Sequence, residues 1–309
     1  MFTQRRFIMT KNLNRRTIIK QVLTGSAALA TGAAVPSNLF AAMSSTHAST
    51  NASLALKGNI NHSACRWCYN DYPIQQLAKN FSDMGLVGMD LVGPKEWNVL
   101  KANNLISTMC NGAEISLTKG FNEPSYHDTL VKNYTDHIHY VADAGYKNLI
   151  CFSGSRNGMD DETGLNNCVT GLKKIMALAE KRGVTIIMEL LNSRVDHKDY
   201  MCDRSVWGVE LCKRLGSPNF KLLFDIYHMQ IDEGDIIHSI KTNHEYYGHY
   251  HTGGVPGRHE IDERQELYYP AIMRAIVETG FKGYVAQEFI PADKDPMASL
   301  QTAIKICDV

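Results

Sequence analysis

Four acidic or imidazole side chains stand at the ends of short apolar runs in the C-terminal half of the chain: Glu189, Asp225, His251 and Glu288. The runs are VTIIMEL, FKLLFDIYH, YYGHYHTGG and YVAQEF, and a segment of helical pattern separates each from the next. Where parallel strands alternate with helices and close into a barrel, the C-terminal ends of the strands meet at one face. Three carboxylates and one imidazole suit Mg²⁺ or Mn²⁺ better than a structural zinc, which favours Cys and His. The pattern therefore predicts one divalent ion, with Co²⁺ or Zn²⁺ as alternatives.

Other polar residues cluster near the same strand ends. His228 follows Asp225 by three residues, where a buried strand is expected to turn out into its loop. His249 and His251 alternate along a strand, so both imidazoles are expected to point to the same side. The turn Pro256-Gly257 precedes Arg258, whose guanidinium fork suits a carboxylate or hydroxyl groups. Together these residues predict a ligand site rather than a solvated surface.

The elements that must position these residues repeat as strand and then helix from residue 58 onward. Eight strands are predicted, at 58–62, 86–92, 105–110, 147–153, 184–190, 220–228, 247–252 and 283–289. Amphipathic stretches lie at 72–84, 126–144, 165–181, 205–215 and 267–279, with glycines at helix C-cap positions 85, 145, 183, 216 and 280. Eight such units in about 250 residues are typical of an α/β fold of the (β/α)₈ TIM barrel type. A doubly wound open sheet is the alternative, but no GxGxxG motif follows the first strand.

Composition fits one large domain, predicted to span 54–309. The chain has 309 residues, of which 44% are hydrophobic and 21% charged. Its 32 basic residues equal its 32 Asp and Glu residues, so no basic excess indicates a nucleic-acid partner. A small molecule is the expected ligand.

Residues 1–53 are expected to lie outside that domain. The segment Asn14-Arg15-Arg16-Thr17-Ile18-Ile19-Lys20 has a twin-arginine pattern, and an Ala/Gly/Thr-rich apolar stretch without acidic residues follows it. This resembles a Tat export signal, followed by a linker rich in Ser, Thr, Ala and Asn. The interpretation makes the Tat machinery a partner and predicts a periplasmic or otherwise extracytoplasmic protein, or a cytoplasmic one if the signal is not used. A disordered basic tail is the alternative.

The eight cysteines do not form the pattern of a small disulfide scaffold. Cys65 and Cys68 have CxxC spacing, but no second CxxC completes a zinc site, so a redox or metal role is the minor alternative. Cys110 and Cys151 lie in apolar strand runs, where a free cysteine behaves as a small hydrophobe.

Residues 58–307 resemble the xylose isomerase-like barrel superfamily, and most closely its hydroxypyruvate isomerase branch. The segments that carry the resemblance are NHSACRWCY, MELLNSR, FDIYHMQ, HYHTGGVPGRHEID and AQEF. The resemblance implies that Glu189 and Glu288 are metal ligands and acid/base catalysts, and that Asp225 and His251 complete the ligand set. It also suggests His228 and Arg258 as substrate contacts. Arg66, as the alternative partner of a substrate carboxylate, and His62 are further candidates. His251 differs from the hydroxypyruvate isomerase pattern, because those enzymes often carry Gln at the corresponding position. The related ketose 3-epimerases carry His.

The leading hypothesis is an isomerase that interconverts hydroxypyruvate and 2-hydroxy-3-oxopropanoate, or a similar small hydroxy-carbonyl acid, through an enediolate. The runner-up is a ketose 3-epimerase or sugar isomerase that uses the same two glutamates. A metal-dependent endonuclease would need a His-rich multi-zinc cluster and a basic groove, and a non-catalytic binding protein would not need a complete ligand set. The resemblance also makes a homo-oligomer plausible.

Overall fold

A closed barrel of eight parallel strands forms the centre of the fold, so the predicted TIM barrel is confirmed. The structure, a computed structural model, describes residues 54–309. The strands are β1 (Asn61–Cys65), β2 (Gly88–Val92), β3 (Ile106–Cys110), β4 (Asn148–Cys151), β5 (Thr185–Glu189), β6 (Phe220–Asp225), β7 (Tyr247–Thr252) and β8 (Tyr284–Gln287). Each strand pairs with the next in sequence, and β8 pairs with β1.

Helices surround the barrel and bury their apolar faces against it. They are α1 (Ile74–Asp83), α2 (Trp97–Ala102), α3 (His127–Asp143), α4 (Asp161–Arg182), α5 (Ser205–Leu215), α6 (Ile226–Asp232), α7 (Ile236–Asn243), α8 (Tyr269–Glu278) and α9 (Pro296–Cys307). Gly183 and Gly216 end α4 and α5 with φ angles of 67° and 65°, a left-handed conformation that glycine adopts without strain. Within residues 54–309, no helix is both long and apolar enough to span a membrane.

Most predicted boundaries differ from the observed ones by one or a few residues, and three of these differences bear on the site or its surroundings. The first strand begins at Asn61 rather than at residue 58, so it ends on Cys65. The sixth strand ends at Asp225 because that side chain accepts a hydrogen bond from the backbone N–H of His228 and caps α6, which places His228 on a helix. Helix α4 begins earlier than expected, at Asp161, because Asp160 caps it through the backbone N–H of Thr163.

Strand register brings the polar strand ends together. Glu189 and Asp225 are the last residues of β5 and β6, His251 is the penultimate residue of β7, and Glu288 follows β8 directly. Asp225 pairs with His251 across β6 and β7, and His251 in turn pairs with Ala286 of β8. Side chains two apart on a strand share a face. The interior face of β7 therefore carries His251 above His249.

All eight cysteines are free thiols in the structure, and all but Cys68 are buried. The predicted twin-arginine signal and linker lie outside the described residues.

Candidate metal and active site

The predicted ligand set converges at the C-terminal end of the barrel. Glu189, Asp225, His251 and Glu288 each offer one ligand atom within 4.8 Å of the others, and all four residues are buried. His251 Nδ1 lies 3.3 Å from Glu189 Oε1 and 2.7 Å from Glu288 Oε2. Glu189 Oε1 has no hydrogen-bond partner in the part of the chain that the structure describes. Buried polar atoms are rarely left unpaired, so this oxygen points to a ligand.

This donor set fits a divalent cation. Three carboxylate oxygens and one imidazole nitrogen can coordinate Mg²⁺, Mn²⁺, Co²⁺ or Zn²⁺, and the set includes no thiolate that would select a softer ion. Glu189, Asp225 and Glu288 would also concentrate negative charge in a buried space, where an uncompensated charge is costly. The residues therefore suit a divalent ion in charge as well as in ligand type.

Arg258 reaches the same cluster from the loop after β7. Its Nη2 donates to Asp225 Oδ2 at 3.0 Å and to Glu288 Oε2, and its Nε donates to the Glu288 carbonyl at 3.1 Å. The guanidinium carbon lies 5.3 Å from the ring centroids of both Trp67 and Tyr227, a cation–π arrangement on two sides. The sequence-predicted cationic group is thus adjacent to the ligand set.

A tight turn fixes the Arg258 backbone. Its φ is 58°, which is uncommon for a residue other than glycine, and its N–H donates to the Gly254 carbonyl at 2.8 Å. A Cβ atom at Gly254 would lie only 2.4 Å from the Glu260 carbonyl oxygen. The Gly-Gly pair in HTGGVPGR therefore allows the close chain crossing that directs Arg258 inward.

Burial and the neighbouring charges shift the pKa values of Asp225 and Glu288 in opposite directions. Burial raises the pKa of Asp225 to about 7, and the positive charge of Arg258 only partly opposes this rise. Burial alone would also raise the pKa of Glu288, but Arg258 and His251 together outweigh it and hold that pKa well below its usual range. One carboxyl of the set is therefore firmly ionised, and another titrates near neutrality.

The two glutamates differ in their hydrogen bonds. Glu288 Oε1 accepts from the indole Nε1 of Trp67 at 2.7 Å, while its Oε2 faces Arg258. Glu189 Oε1 has no such partner within residues 54–309. Glu288 is thus fixed at both oxygens, whereas Glu189 is less constrained.

His228 presents a defined tautomer to the site. Its Nδ1 accepts from the Asn192 amide at 2.6 Å, and the same amide donates to Asp196 Oδ2 at 2.7 Å. Burial, assisted by the nearby Arg258 charge, lowers the pKa of His228 well below its usual value. The ring is therefore neutral and carries its proton on Nε2, which lies 3.7 Å from Asp225 Oδ2 and has no hydrogen-bond partner among residues 54–309. It is an available donor for a substrate oxygen.

Asp90 on β2 is a buried part of the site that sequence reasoning missed. Its Oδ2 accepts from His249 Nε2 at 2.5 Å and from His251 Nε2 at 3.1 Å. Its Oδ1 accepts from Ser63 Oγ at 2.6 Å and from Thr108 Oγ1. The only sequence signal for it was a single acid inside the apolar run LVGMDLV. Asn192 and Trp67 were also missed as site residues, although both lie in the segments that carried the family resemblance.

Two predicted substrate contacts are not brought to the cluster. Ser63 and Cys65 face the barrel interior, so alternation turns His62 away, and its Nε2 lies 3.6 Å from Asp308 near the C-terminus. The expectation for His62 is corrected accordingly. Arg66 lies in a 3-10 helix after β1, where it bonds to the Tyr69 carbonyl and lies 3.7 Å from Glu96.

The chain belongs to the xylose isomerase-like TIM barrel family, whose sequence profile matches residues 69–306. It is 38% identical over 113 residues to 2-oxo-tetronate isomerase of Cupriavidus necator, covering 37% of this chain and 43% of the relative. It is 31% identical over 123 residues to a putative hydroxypyruvate isomerase of Danio rerio, covering 40% and 45%. D-psicose 3-epimerase of Ruminiclostridium cellulolyticum is 29% identical over 168 residues, 53% of each chain.

In these matches the chain spans about half the length of each relative, or less. Among solved structures, a family 2 AP endonuclease from Brucella melitensis superposes with a TM-score of 0.67 at 24% identity, covering 78% of this chain and 97% of that one. This last likeness concerns the fold alone. The sequence relatives are isomerases and epimerases, which supports an isomerase.

Proposed function

We propose that the protein is a divalent-metal-dependent isomerase of small 2-oxo hydroxy acids, such as hydroxypyruvate or a four-carbon 2-oxo-tetronate. The observation that carries the proposal is the convergence of four buried ligands with one arginine at the end of the barrel. The family and the two first relatives support the same class of reaction. Mg²⁺ or Mn²⁺ is the proposed ion.

The reaction moves a carbonyl group between adjacent carbons. A base removes a proton from C3 of hydroxypyruvate, and the electron pair of that C–H bond forms an enediolate between C2 and C3. A proton is then added at C2, and the proton of the C3 hydroxyl moves to the C2 oxygen, so that C3 becomes the aldehyde and C2 carries the hydroxyl. When bound, the divalent ion would stabilise the negative charge that develops on the substrate oxygens.

The hydrogen bonds favour unequal roles for the two glutamates. Glu189, with an unpartnered oxygen, would take the proton from C3 and return it to C2. Glu288 is held by Trp67 and Arg258 and would remain ionised through the reaction. A single mobile carboxylate is sufficient for isomerisation, because the proton leaves and returns on the same face of the substrate.

Two cationic or donor groups would bind the substrate. Arg258 would pair with the substrate carboxylate through Nη1, since its Nε and Nη2 already donate to Glu288 and Asp225. His228 Nε2–H would donate to a substrate oxygen next to Asp225. Both groups are held before substrate arrives, by aromatic stacking and by Asn192 respectively.

A ketose 3-epimerase is the second candidate. His251 in the ligand set and the similarity to a D-psicose 3-epimerase favour it. Epimerisation at one carbon requires a second acid on the opposite face, so Glu288 would then have to exchange a proton with the substrate.

Substrate charge distinguishes the two functions. We would measure kcat/KM at saturating Mn²⁺ for hydroxypyruvate and for a panel of neutral ketoses, with wild-type protein and with Arg258→Gln. Loss of a charged hydrogen bond should lower kcat/KM for the anionic substrate by about 10- to 100-fold. Arg264→Gln is the matched control, because Arg264 pairs with Asp262 and Asp293 at the surface. Turnover of ketoses alone, unaffected by Arg258→Gln, would refute the 2-oxo acid assignment.

A further inference from the structure

A polar layer lies beneath the ligand set inside the barrel. It consists of Asp90, His249, Ser63 and Thr108, all at most 2% exposed. His249 precedes His251 by two residues on β7, so it lies about 6.6 Å deeper along the strand. The layer therefore lies one two-residue strand repeat below the ligands. Asp90 of this layer contacts the ligand set through His251.

Asp90 is the centre of this layer. Four donors converge on its carboxylate, so both oxygens are occupied by side chains from β1, β3 and β7. Such a carboxylate has little freedom to rotate. His251 is its one contact with the ligand set.

The backbone of β2 is irregular at this residue. The pairing of β2 with β3 shifts register on both sides of Asp90, and Leu91 has a φ of 57°. A left-handed conformation is costly for leucine and persists only where the surrounding structure imposes it. Bulges of this kind commonly redirect a side chain next to an active site. Here the bulge turns Asp90 into the barrel interior, toward two imidazoles.

The two nitrogens of His251 face different groups. Nε2 faces Asp90, and Nδ1 faces Glu189 and Glu288. A carboxylate that accepts a hydrogen bond from one ring nitrogen keeps the proton there and leaves the other nitrogen as the metal ligand.

We propose that Asp90 is a positioning residue, which holds His251 as the Nε2–H tautomer with Nδ1 directed at the metal ion. This rests on the metal site of the proposed function. Asp90 would not touch the substrate or the ion, and its contribution would be to metal affinity rather than to proton transfer.

The test is Mn²⁺ affinity, measured by electron paramagnetic resonance of the free ion, for wild-type protein and Asp90→Asn. Asparagine keeps the shape of aspartate but can offer an N–H to the ring, so we expect affinity to fall by about 10- to 100-fold. Asp203→Asn is the matched control: Asp203 is a buried carboxylate that binds Arg156 and Ser193, and its loss should lower thermal stability without changing Mn²⁺ affinity. Equal Mn²⁺ affinity of Asp90→Asn and wild type would overturn the proposal. Absence of stoichiometric Mn²⁺ binding by the wild type would instead refute the metal site itself.

A second measurement is made on the wild-type protein, and a variant serves only to assign the signal. In wild-type protein loaded with Mg²⁺ and labelled with ¹⁵N-histidine, the His251 ring should carry a slowly exchanging proton on Nε2. The signal is assigned by its disappearance in His251→Gln. A proton on Nδ1 would contradict the proposed orientation.

Discussion

Arg258→Met should destabilise the metal-free protein strongly and the metal-loaded protein much less. Arg258 is paired with Asp225 and Glu288, whose side chains are 0% and 3% exposed, and the Arg258 side chain itself is only 12% exposed. Removing one partner of a buried ion pair costs about 3–5 kcal/mol, because the remaining charges stay buried without compensation. Methionine keeps an apolar stem between Trp67 and Tyr227, so the loss is mainly one of charge.

For a domain of this size, 1 kcal/mol corresponds to about 2–4 °C in Tm. Arg258→Met should therefore lower the Tm by about 6–20 °C in EDTA, as measured by circular dichroism. Saturating Mn²⁺ should restore most of this loss, because the ion supplies positive charge to the same carboxylates. Arg264→Met, which also removes an arginine from between two carboxylates but at the surface, should shift the Tm far less. An equal loss of Tm with and without Mn²⁺ would refute the claim that Arg258 and the ion compensate the same carboxylates.

Three further outcomes follow from the site. Glu189→Gln should retain measurable Mn²⁺ binding but lower kcat for hydroxypyruvate by at least about 10²-fold, measured by steady-state kinetics, because the proposed base is lost. Wild-type kcat would contradict the assignment of proton transfer to Glu189. Asn192→Ala should raise the KM for hydroxypyruvate, because His228 loses the amide that fixes its tautomer. The same variant should leave Mn²⁺ affinity unchanged. An altered Mn²⁺ affinity would contradict the assignment of His228 to substrate binding. Mn²⁺ affinity should rise with pH. The pKa of Asp225 is raised to about 7, so below pH 7 a proton competes with the ion at this carboxylate. Burial lowers the pKa of His251, but Glu288 and its other neighbours raise it more, so the net shift is well upward. A second proton must therefore leave the imidazole at higher pH before the ion binds. Calorimetry in buffers of different ionisation enthalpy would count the protons released, and a pH-independent affinity would refute this.

The convergence of Glu189, Asp225, His251 and Glu288 could be predicted because each lies at the end of an apolar run. A parallel barrel leaves such ends at only one face, so strand period and count were sufficient. Arg258 could be placed by the same logic, since its turn follows the β7 run directly.

Residues that act across the barrel could not be placed in this way. Asp90 is three strands from the ligand set in sequence, and its orientation depends on a bulge that no local pattern in LVGMDLV indicates. The first strand was predicted three residues too early, because strand ends carry the weakest sequence signal, so the outward direction of His62 was not foreseen. His228 was expected on a strand because the role of Asp225 as a helix cap was not recognised.

The most direct test of the proposed proton transfer is proton NMR of hydroxypyruvate in D₂O with the Mn²⁺-reconstituted protein, after removal of the ion before spectra are recorded. We expect 2-hydroxy-3-oxopropanoate to form, with deuterium entering C2 of the product and C3 of the recovered substrate, and both to stop in Glu189→Gln. Stoichiometric metal binding with neither 2-hydroxy-3-oxopropanoate formed nor deuterium incorporated into hydroxypyruvate would contradict an isomerase acting through an enediolate.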